Sequence, residues 1–114
     1  MKEILVTAIF TLVAAVVIHD SLVFALDGQI GIHDPSTVIS CNGKFYTYGT
    51  GGTSLVSDDG WTWRRGAPLP RHGLAPDVIH LGNRYYVYIA ANSGPTKADI
   101  NLLTNETLDP NSPD

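Results

Sequence analysis

The sequence carries one strand-turn-strand pattern twice, 40 residues apart. Residues 38–48 read VISCNGKFYTY, and residues 78–88 read VIHLGNRYYVY. In each copy a short apolar stretch and an aromatic stretch flank a two-residue turn. Asn42-Gly43 is typical of a type I′ hairpin, because both of its residues tolerate positive φ, and Gly82-Asn83 is a similar pair. The pattern therefore predicts two copies of one β-hairpin unit.

The residues around the hairpins complete the repeat. Thr53 to Ser57 and Trp61 to Arg65 read as a third and a fourth strand, and Ile100 to Thr104 reads as the third strand of the second copy. Four short antiparallel strands in about 40 residues predict an all-β fold made of β-propeller blades. A β-sandwich is the alternative, but it does not require the same pattern twice. The chain holds about one and a half to two blades, whereas propellers close with about 4–8.

The first residues predict a signal peptide. Ile4 to Ile18 is an apolar run interrupted only by two threonines, which is short of the roughly 20 residues of a membrane-spanning helix. Lys2 precedes the run, and the small residue Ala25 fits a cleavage site. We therefore expect a signal peptide over residues 1–25, a propeller domain over residues 26–114, and a secreted or periplasmic protein. Glu3 cancels the charge of Lys2, so an uncleaved anchor is the alternative.

Composition excludes several kinds of site and partner. The 114 residues carry a net charge of −4 and a single basic pair, Arg64-Arg65, which disfavours nucleic acid as a partner. Cys41 is the only cysteine, so the sequence predicts neither an internal disulfide nor a Cys/His metal cluster. We expect no membrane association after cleavage of the signal peptide.

A carboxylate lies beside the proline that precedes each repeated hairpin, but Asp77 is shifted by one or two residues from Asp34 and need not point the same way. Asp34-Pro35-Ser36 matches Ala75-Pro76-Asp77 at an offset of 41. Proline can begin a strand and favours an extended conformation in the preceding residue. Asp34 would then point into the central funnel, where a carboxylate can act as a general base. The alternative for both aspartates is a structural role as hydrogen-bond acceptor in a turn, and His72 is a further residue that could line the cleft.

Aromatic residues are expected mainly in packing. Residues 57–63, SDDGWTW, come close to the Asp-box turn of sialidase-type propellers, in which the aspartate ties the hairpin. We expect Trp63 to be structural and Trp61 to face outward, and we expect the five tyrosines to pack between blades. Residues 49–52, GTGG, are expected to bend the chain between strands. Asn105-Glu106-Thr107 is a glycosylation sequon, meaningful in a eukaryote.

The motifs resemble one enzyme family. Residues 31–36, GIHDPS, and residues 43–51, GKFYTYGTG, resemble the first blade of glycoside hydrolase family 43, above all its arabinanases and α-L-arabinofuranosidases. Residues 74–78, LAPDV, resemble the second-blade segment of that family, with Leu74 in place of the usual tryptophan. The resemblance covers about residues 28–114, which identifies the chain as an amino-terminal fragment of a member of the family.

The resemblance implies a fold and a mechanism. The family has a five-bladed β-propeller and hydrolyses arabinan, xylan and related plant polysaccharides with inversion, so the implied partner is an arabinan-like polysaccharide or oligosaccharide. Asp34 corresponds to the general base that activates water, while His33, Leu74 and Asp77 are implied to contact substrate. No cofactor is required, and the sequence identifies no metal ligand; a calcium ion on the propeller axis is implied only for the full-length family member.

The sequence departs from the family in one chemical respect. The only glutamates are Glu3 and Glu106, and neither matches the general acid. The resemblance implies an endo-1,5-α-L-arabinosidase type of activity in the intact enzyme. Because the general acid is missing, we expect no activity in this chain alone. The alternatives are a xylosidase or galactosidase of the same family and a non-catalytic carbohydrate-binding propeller. A sialidase-type propeller is a weaker option, because Arg64, Arg65 and Arg71 do not suggest an arginine cluster for a substrate carboxylate.

Overall fold

The computed structural model describes residues 24–94 and 97–112, which form two β-sheets, antiparallel except for one edge strand. Nearly all of the predicted signal peptide, residues 1–23, lies outside the described residues. The first sheet has the strand order β1-β5-β4-β3-β2, and the second has the order β6-β7-β8. The strands are β1 (Asp27–Gly28), β2 (Ile39–Cys41), β3 (Lys44–Gly49), β4 (Thr53–Ser57), β5 (Thr62–Arg65), β6 (Leu74–Leu81), β7 (Arg84–Gly94) and β8 (Lys97–Asn105).

The two predicted hairpins form with the same register. Ile39 is opposite Tyr46 in the first sheet, and Ile79 is opposite Tyr86 in the second. In the first turn Asn42 and Gly43 have φ of 51° and 75°, as a type I′ turn requires. In the second turn Gly82 has φ of 62°. The repeat predicted from the sequence is therefore confirmed at the level of strand pairing.

The core lies between the two sheets. One face of the first sheet packs against one face of the second, and their buried residues are Cys41, Tyr46, Tyr48, Val56, Val78, Tyr85 and Val87. The Tyr85 hydroxyl donates a hydrogen bond to the Ser40 carbonyl across the sheets at 3.0 Å. Burial raises the pKa of Tyr85 to about 12, with a smaller contribution from Cys41. Tyr46, Tyr48 and Tyr85 thus pack between the sheets as expected, while Tyr88 is exposed.

The hairpin between β4 and β5 is held by its own side chains. Asp59 Oδ1 accepts hydrogen bonds from the backbone N–H groups of Trp61 and Thr62 at 2.8 and 2.7 Å. The fully buried Ser57 donates to the same oxygen at 2.9 Å and accepts from the Gly60 N–H. These bonds lower the pKa of Asp59 to about 2, the two backbone donors contributing most. Trp63 is buried and Trp61 is exposed, which confirms the expected structural turn.

Two features differ from the sequence-based expectation, and a third agrees with it. Strand β1 pairs in parallel with β5, because the outer edge of β5 has free backbone groups that Asp27 and Gly28 can meet. Strand β8 begins at Lys97 instead of Ile100, since pairing with the eleven-residue β7 continues beyond the apolar stretch. The second sheet has three strands within the described residues, and those residues form no closed propeller.

Candidate functional site

Asp34 lies in a bend five residues before β2. Its φ is 46°, in the left-handed region, and Ala75, the equivalent pre-proline residue of the second repeat, has φ of 43°. The expectation that proline holds these residues extended and begins each strand is therefore wrong, since Pro35 precedes β2 and Pro76 lies inside β6. The left-handed conformation costs a non-glycine residue about 1 kcal/mol or more. Tertiary contacts must hold both residues there.

The Asp34 carboxylate is held through one of its two oxygens. Asp34 Oδ2 accepts a hydrogen bond from the Thr50 hydroxyl at 2.9 Å, and His33 Nδ1 lies 2.9 Å from the same oxygen. No described residue makes a hydrogen bond to Oδ1. The side chain is 50% exposed. Asp34 thus presents an oriented, half-exposed carboxylate with one oxygen that no described residue engages.

The glycine-rich segment after β3 packs against the segment that carries Asp34, and the junction of the two segments is called the corner below. Thr50–Gly52 form a short 3₁₀ segment, kinked at Gly51 where φ is 83°, that joins β3 to β4, which confirms the predicted bend. A side chain at Gly49 would collide with Ile32 and with the His33 carbonyl, so the close approach of the two segments requires glycine. The Thr50 N–H donates to that same carbonyl at 2.9 Å. The turn therefore fixes Thr50 next to Asp34.

The second sheet contributes Leu74 and Ala75 to the same corner. The Ala75 N–H donates a hydrogen bond to the Thr50 hydroxyl oxygen at 2.9 Å. A bulge in the pairing of β6 with β7 lies between Leu74 and Asp77, where the strand begins. Leu74 is 49% exposed and lines an open depression of about 470 Å³. Its other lining residues include Thr50, Gly51, Arg71, His72 and Asn101.

Asp77 connects the two repeats. Its Oδ1 accepts a hydrogen bond from the Thr37 N–H of the first repeat at 3.1 Å. This bond is the largest cause of a pKa below the ordinary value for Asp77. The carboxylate thus acts as the backbone acceptor that the sequence offered as its structural alternative. A contact of Asp77 with substrate stays a prediction.

Ser36 anchors the segment that carries Asp34. Its side chain is buried, its N–H donates to the Tyr48 carbonyl at 2.7 Å, and its hydroxyl accepts from the Tyr48 N–H at 2.9 Å. The Thr47 hydroxyl donates to the Ser36 carbonyl at 3.0 Å. Since these bonds extend the pairing of β3, they hold the chain two residues after Asp34 rigidly against the first sheet.

Neither a metal centre nor a membrane-spanning helix is found in the described part of the chain. Within residues 24–94 and 97–112, no three His, Cys, Asp or Glu residues are grouped so that they could hold a metal ion. No helix among them is long and apolar enough to cross a membrane. The corner itself supplies an oriented carboxylate, a hydroxyl and exposed histidines.

Thr50 is the residue of this corner that the sequence did not single out. Residues 49–52 were expected only to bend the chain, because glycines dominate the segment. The signal that could have found Thr50 is its position in the resemblance to the first blade, where it follows the aromatic strand directly. Of the residues predicted for the site, the structure links Asp34 to His33 directly and brings Leu74 next to Thr50.

Comparisons with known proteins find arabinan-degrading enzymes that resemble this chain. No protein-family model matches the chain. The chain is 35% identical over 101 residues to the probable arabinan endo-1,5-alpha-L-arabinosidase A of Aspergillus flavus, and equally to that of Aspergillus oryzae. Each alignment covers 75% of this chain and 31% of the relative, so the chain spans about a third of the length of the curated relatives it matches.

Solved structures show the same relationship. An exo-1,5-alpha-L-arabinanase from a bovine ruminal metagenomic library is 32% identical with a TM-score of 0.62, covering 73% of this chain and 33% of that one. A glycoside hydrolase family 43 endo-arabinanase from Bacillus licheniformis is 27% identical with a TM-score of 0.63, covering 74% and 36%. The resemblance to family 43 arabinanases in sequence and in fold is thereby confirmed.

Proposed function

We propose that this chain supplies the general base of an arabinan-degrading glycoside hydrolase of the endo-1,5-α-L-arabinosidase type. The observation that carries the proposal is the Asp34 carboxylate, whose Oδ2 is held by Thr50 and whose Oδ1 is open, in a chain 35% identical to arabinan endo-1,5-alpha-L-arabinosidases. A base needs an accessible oxygen at a fixed position. The partner proposed for this corner is an arabinan-like polysaccharide or oligosaccharide, with His33, Leu74 and Asp77 contacting it.

The proposed reaction proceeds with inversion. Asp34 Oδ1 would take a proton from a water molecule as that water attacks the anomeric carbon, and the glycosidic oxygen would leave with a proton from a general acid. An inverting pair needs its carboxyls about 6.5–9.5 Å apart to admit the water. Among the described residues the one glutamate, Glu106, lies at the end of β8, where Arg84 is 3.4 Å away. We therefore propose that this chain alone does not hydrolyse arabinan.

The proposal includes the architecture and the cell compartment. We propose that the two sheets are blades of a five-bladed propeller, that residues 1–25 are a signal peptide, and that the protein is secreted or periplasmic. No cofactor is needed by this chemistry, and an axial calcium ion is proposed only for a full-length propeller. The facing of the two sheets through Tyr46, Tyr48 and Val87 supports the blade arrangement.

A second candidate is a non-catalytic carbohydrate-binding propeller. The observation that favours it is that Glu106, the one glutamate of the described residues, is paired with Arg84 at 3.4 Å. A xylosidase or galactosidase of the same family would use the same Asp34 chemistry and differ in its substrate contacts. Leu74 is the residue at which such a difference is expected, since an aliphatic side chain offers no aromatic platform.

Titration of the 114-residue chain with oligosaccharides tests the proposal. We expect 1,5-linked arabino-oligosaccharides to shift the amide resonances of His33, Asp34 and Leu74, with a dissociation constant of about 1 mM, which corresponds to about −4 kcal/mol. Xylo-oligosaccharides are the matched control and should leave these resonances unchanged. Shifts by neither sugar would contradict a carbohydrate site, and equal shifts by both would contradict the preference for arabinan.

An assay of reducing ends on linear arabinan tests the catalytic part. We expect no release by the chain alone. Release that disappears in Asp34→Asn would overturn the proposed inactivity of the chain and would support the role of Asp34. Release that persists in Asp34→Asn would contradict that role.

A further inference from the structure

We propose that Thr50 is the positioning residue for Asp34: its hydroxyl turns the carboxylate so that Oδ2 is engaged and Oδ1 is the oxygen that meets water. This inference rests on the proposed function, because only in that reaction does Oδ1 take a proton from water. It goes further by naming a residue outside the carboxylates, and by stating which oxygen of Asp34 accepts the proton.

Only one assignment of donor and acceptor roles fits the hydrogen bonds of the Thr50 hydroxyl. A hydroxyl has one hydrogen to donate and two lone pairs that can accept. The Ala75 N–H can only donate, so it occupies a lone pair of Thr50 Oγ1 at 2.9 Å. The hydroxyl hydrogen then points to Asp34 Oδ2, also at 2.9 Å. A donor that is itself an acceptor for a backbone N–H is polarised toward the carboxylate, which strengthens the bond to the charged oxygen.

The position of Thr50 is itself fixed from three sides. Its N–H donates to the His33 carbonyl at 2.9 Å, so the residue is tied to the segment that carries Asp34. The next residue, Gly51, donates its N–H to the Gly73 carbonyl of the second repeat at 2.7 Å. The backbone that carries the hydroxyl therefore cannot move without breaking bonds to both repeats. A rigid donor of this kind suits a group that must hold a reacting carboxylate at one orientation.

Asp34 and Ala75, whose backbone is left-handed, place conformational strain at the corner. Asp34 and Ala75 both have φ above 40°, and both are bonded to Thr50 Oγ1. The methyl side chain of Ala75 can form no hydrogen bond of its own to offset this strain. Strained backbone persists where surrounding contacts over-determine it, and such sites cluster where function needs a fixed geometry. One hydroxyl joining both strained residues makes Thr50 the centre of that geometry.

The test compares Thr50→Val with Thr50→Ser in the full 114-residue chain. Valine keeps the branched shape and removes the hydroxyl, whereas serine keeps the hydroxyl. Thr104→Val is the matched control, because Thr104 is an exposed strand residue on β8. The first measurement is the ¹³Cγ resonance of Asp34 at neutral pH, with the Asp59 carboxyl as an internal reference. The second is the hydrogen-exchange rate of the Ala75 amide.

We expect Thr50→Val to shift the Asp34 carboxyl resonance and to leave that of Asp59 in place. The Ala75 amide should exchange about 5-fold faster, as loss of one ordinary hydrogen bond implies. Thr50→Ser should restore both values, and Thr104→Val should change neither. These readouts do not depend on turnover, so failure of arabinan binding or hydrolysis would count against the proposed function, while the readouts separately decide whether Thr50 positions the Asp34 carboxylate.

Two outcomes would overturn the inference. If Thr50→Val speeds exchange at Ala75 while the Asp34 carboxyl resonance stays unchanged, the hydroxyl serves only the backbone. If the Asp34 and Asp59 resonances shift together, the substitution disturbs the whole sheet and Thr50 has no local role at the carboxylate.

Discussion

Tyr48 and Tyr88 occupy the same position of the repeat, but Tyr48 is 5% exposed and Tyr88 is 41% exposed. Their strands pair in the same register, so the difference does not arise within either hairpin. Tyr48 lies on the face of the first sheet that the second sheet covers, whereas Tyr88 lies on the opposite side of the second sheet from that core. The repeat therefore determines strand pairing, and the neighbouring sheet determines burial.

The largest expected effect separates these two tyrosines. Tyr48→Ala should lower the free energy of unfolding by about 3–4 kcal/mol, the usual cost of removing a buried aromatic side chain. Tyr88→Ala should lower it by less than about 1 kcal/mol, because much of the ring is already in water. Urea denaturation of the two variants measures the difference. Equal losses would contradict the assignment of the covered face.

The next effect concerns the Asp59 turn of the first sheet. Asp59→Ala should lower the melting temperature by several degrees at pH 7, since three hydrogen bonds to the carboxylate are lost. Asp58→Ala is the control, because exposed Asp58 makes only surface ion pairs with Lys44 and Arg64. Thermal unfolding followed by circular dichroism measures both. A loss as large in the control would show that charge, and not the turn, is responsible.

The same turn makes a pH prediction. The pKa of Asp59 is about 2 in the folded chain and near 3.9 when unfolded, so its stabilisation is present above about pH 4. As the pH falls from 4 toward 2, the carboxylate is protonated and the stabilisation is lost. The difference in melting temperature between the chain and Asp59→Ala should therefore shrink over this interval. A difference that stays constant down to pH 2 would contradict the role of the charged form.

Alanine substitution of the glycine in each hairpin turn should have a smaller effect on stability, and the effect should be equal in the two sheets. Gly43 and Gly82 both have positive φ, and both have open space where a side chain would lie. Gly43→Ala and Gly82→Ala should each lower the free energy of unfolding by about 1 kcal/mol, because only backbone strain is added. Chemical denaturation measures the pair. Costs that differ several-fold would mean that turn strain, like burial, depends on the neighbouring sheet.

The smallest effect on stability tests the exposed face of the second sheet. Ile100 is 75% exposed on β8, beside further exposed apolar side chains such as Leu102 and Tyr88. Ile100→Lys should change the free energy of unfolding by less than about 0.5 kcal/mol and should reduce self-association, since a lysine interrupts an apolar patch. Sedimentation velocity measures the association, and Thr104→Lys on the same strand is the control.

Local sequence was sufficient for the strands, the hairpin turns and the Asp59 turn. Each depends on residues close together in the chain, such as Asn42-Gly43 or Ser57 with Asp59, so pattern and turn chemistry predict them. The left-handed backbone of Asp34 was not predictable in this way. It depends on Thr50, sixteen residues later, and local preference before a proline points the opposite way.

The site was predicted in part for the same reason. Asp34 was found through the resemblance of its motif, and the structure adds its partners and the open oxygen. Thr50 was missed because its role depends on a contact with Ala75 in the other repeat, which no local pattern encodes. The burial difference between the two tyrosines was missed likewise, since identical positions in a repeat carry identical local signals.

The hydrogen bonds between the repeats run in both directions. The second repeat donates from Ala75 to Thr50, and the first donates from Thr37 to Asp77. Each repeat therefore supplies a hydrogen-bond donor to the other, so the two repeats are not interchangeable. In a lineage that exchanges repeats by recombination, a crossover at the Gly82-Asn83 loop would keep both bonds within one parental sequence, whereas a crossover at the Asn42-Gly43 loop would separate Thr37 from Asp77. A crossover between residues 50 and 75 would join a donor from one parent to an acceptor from another.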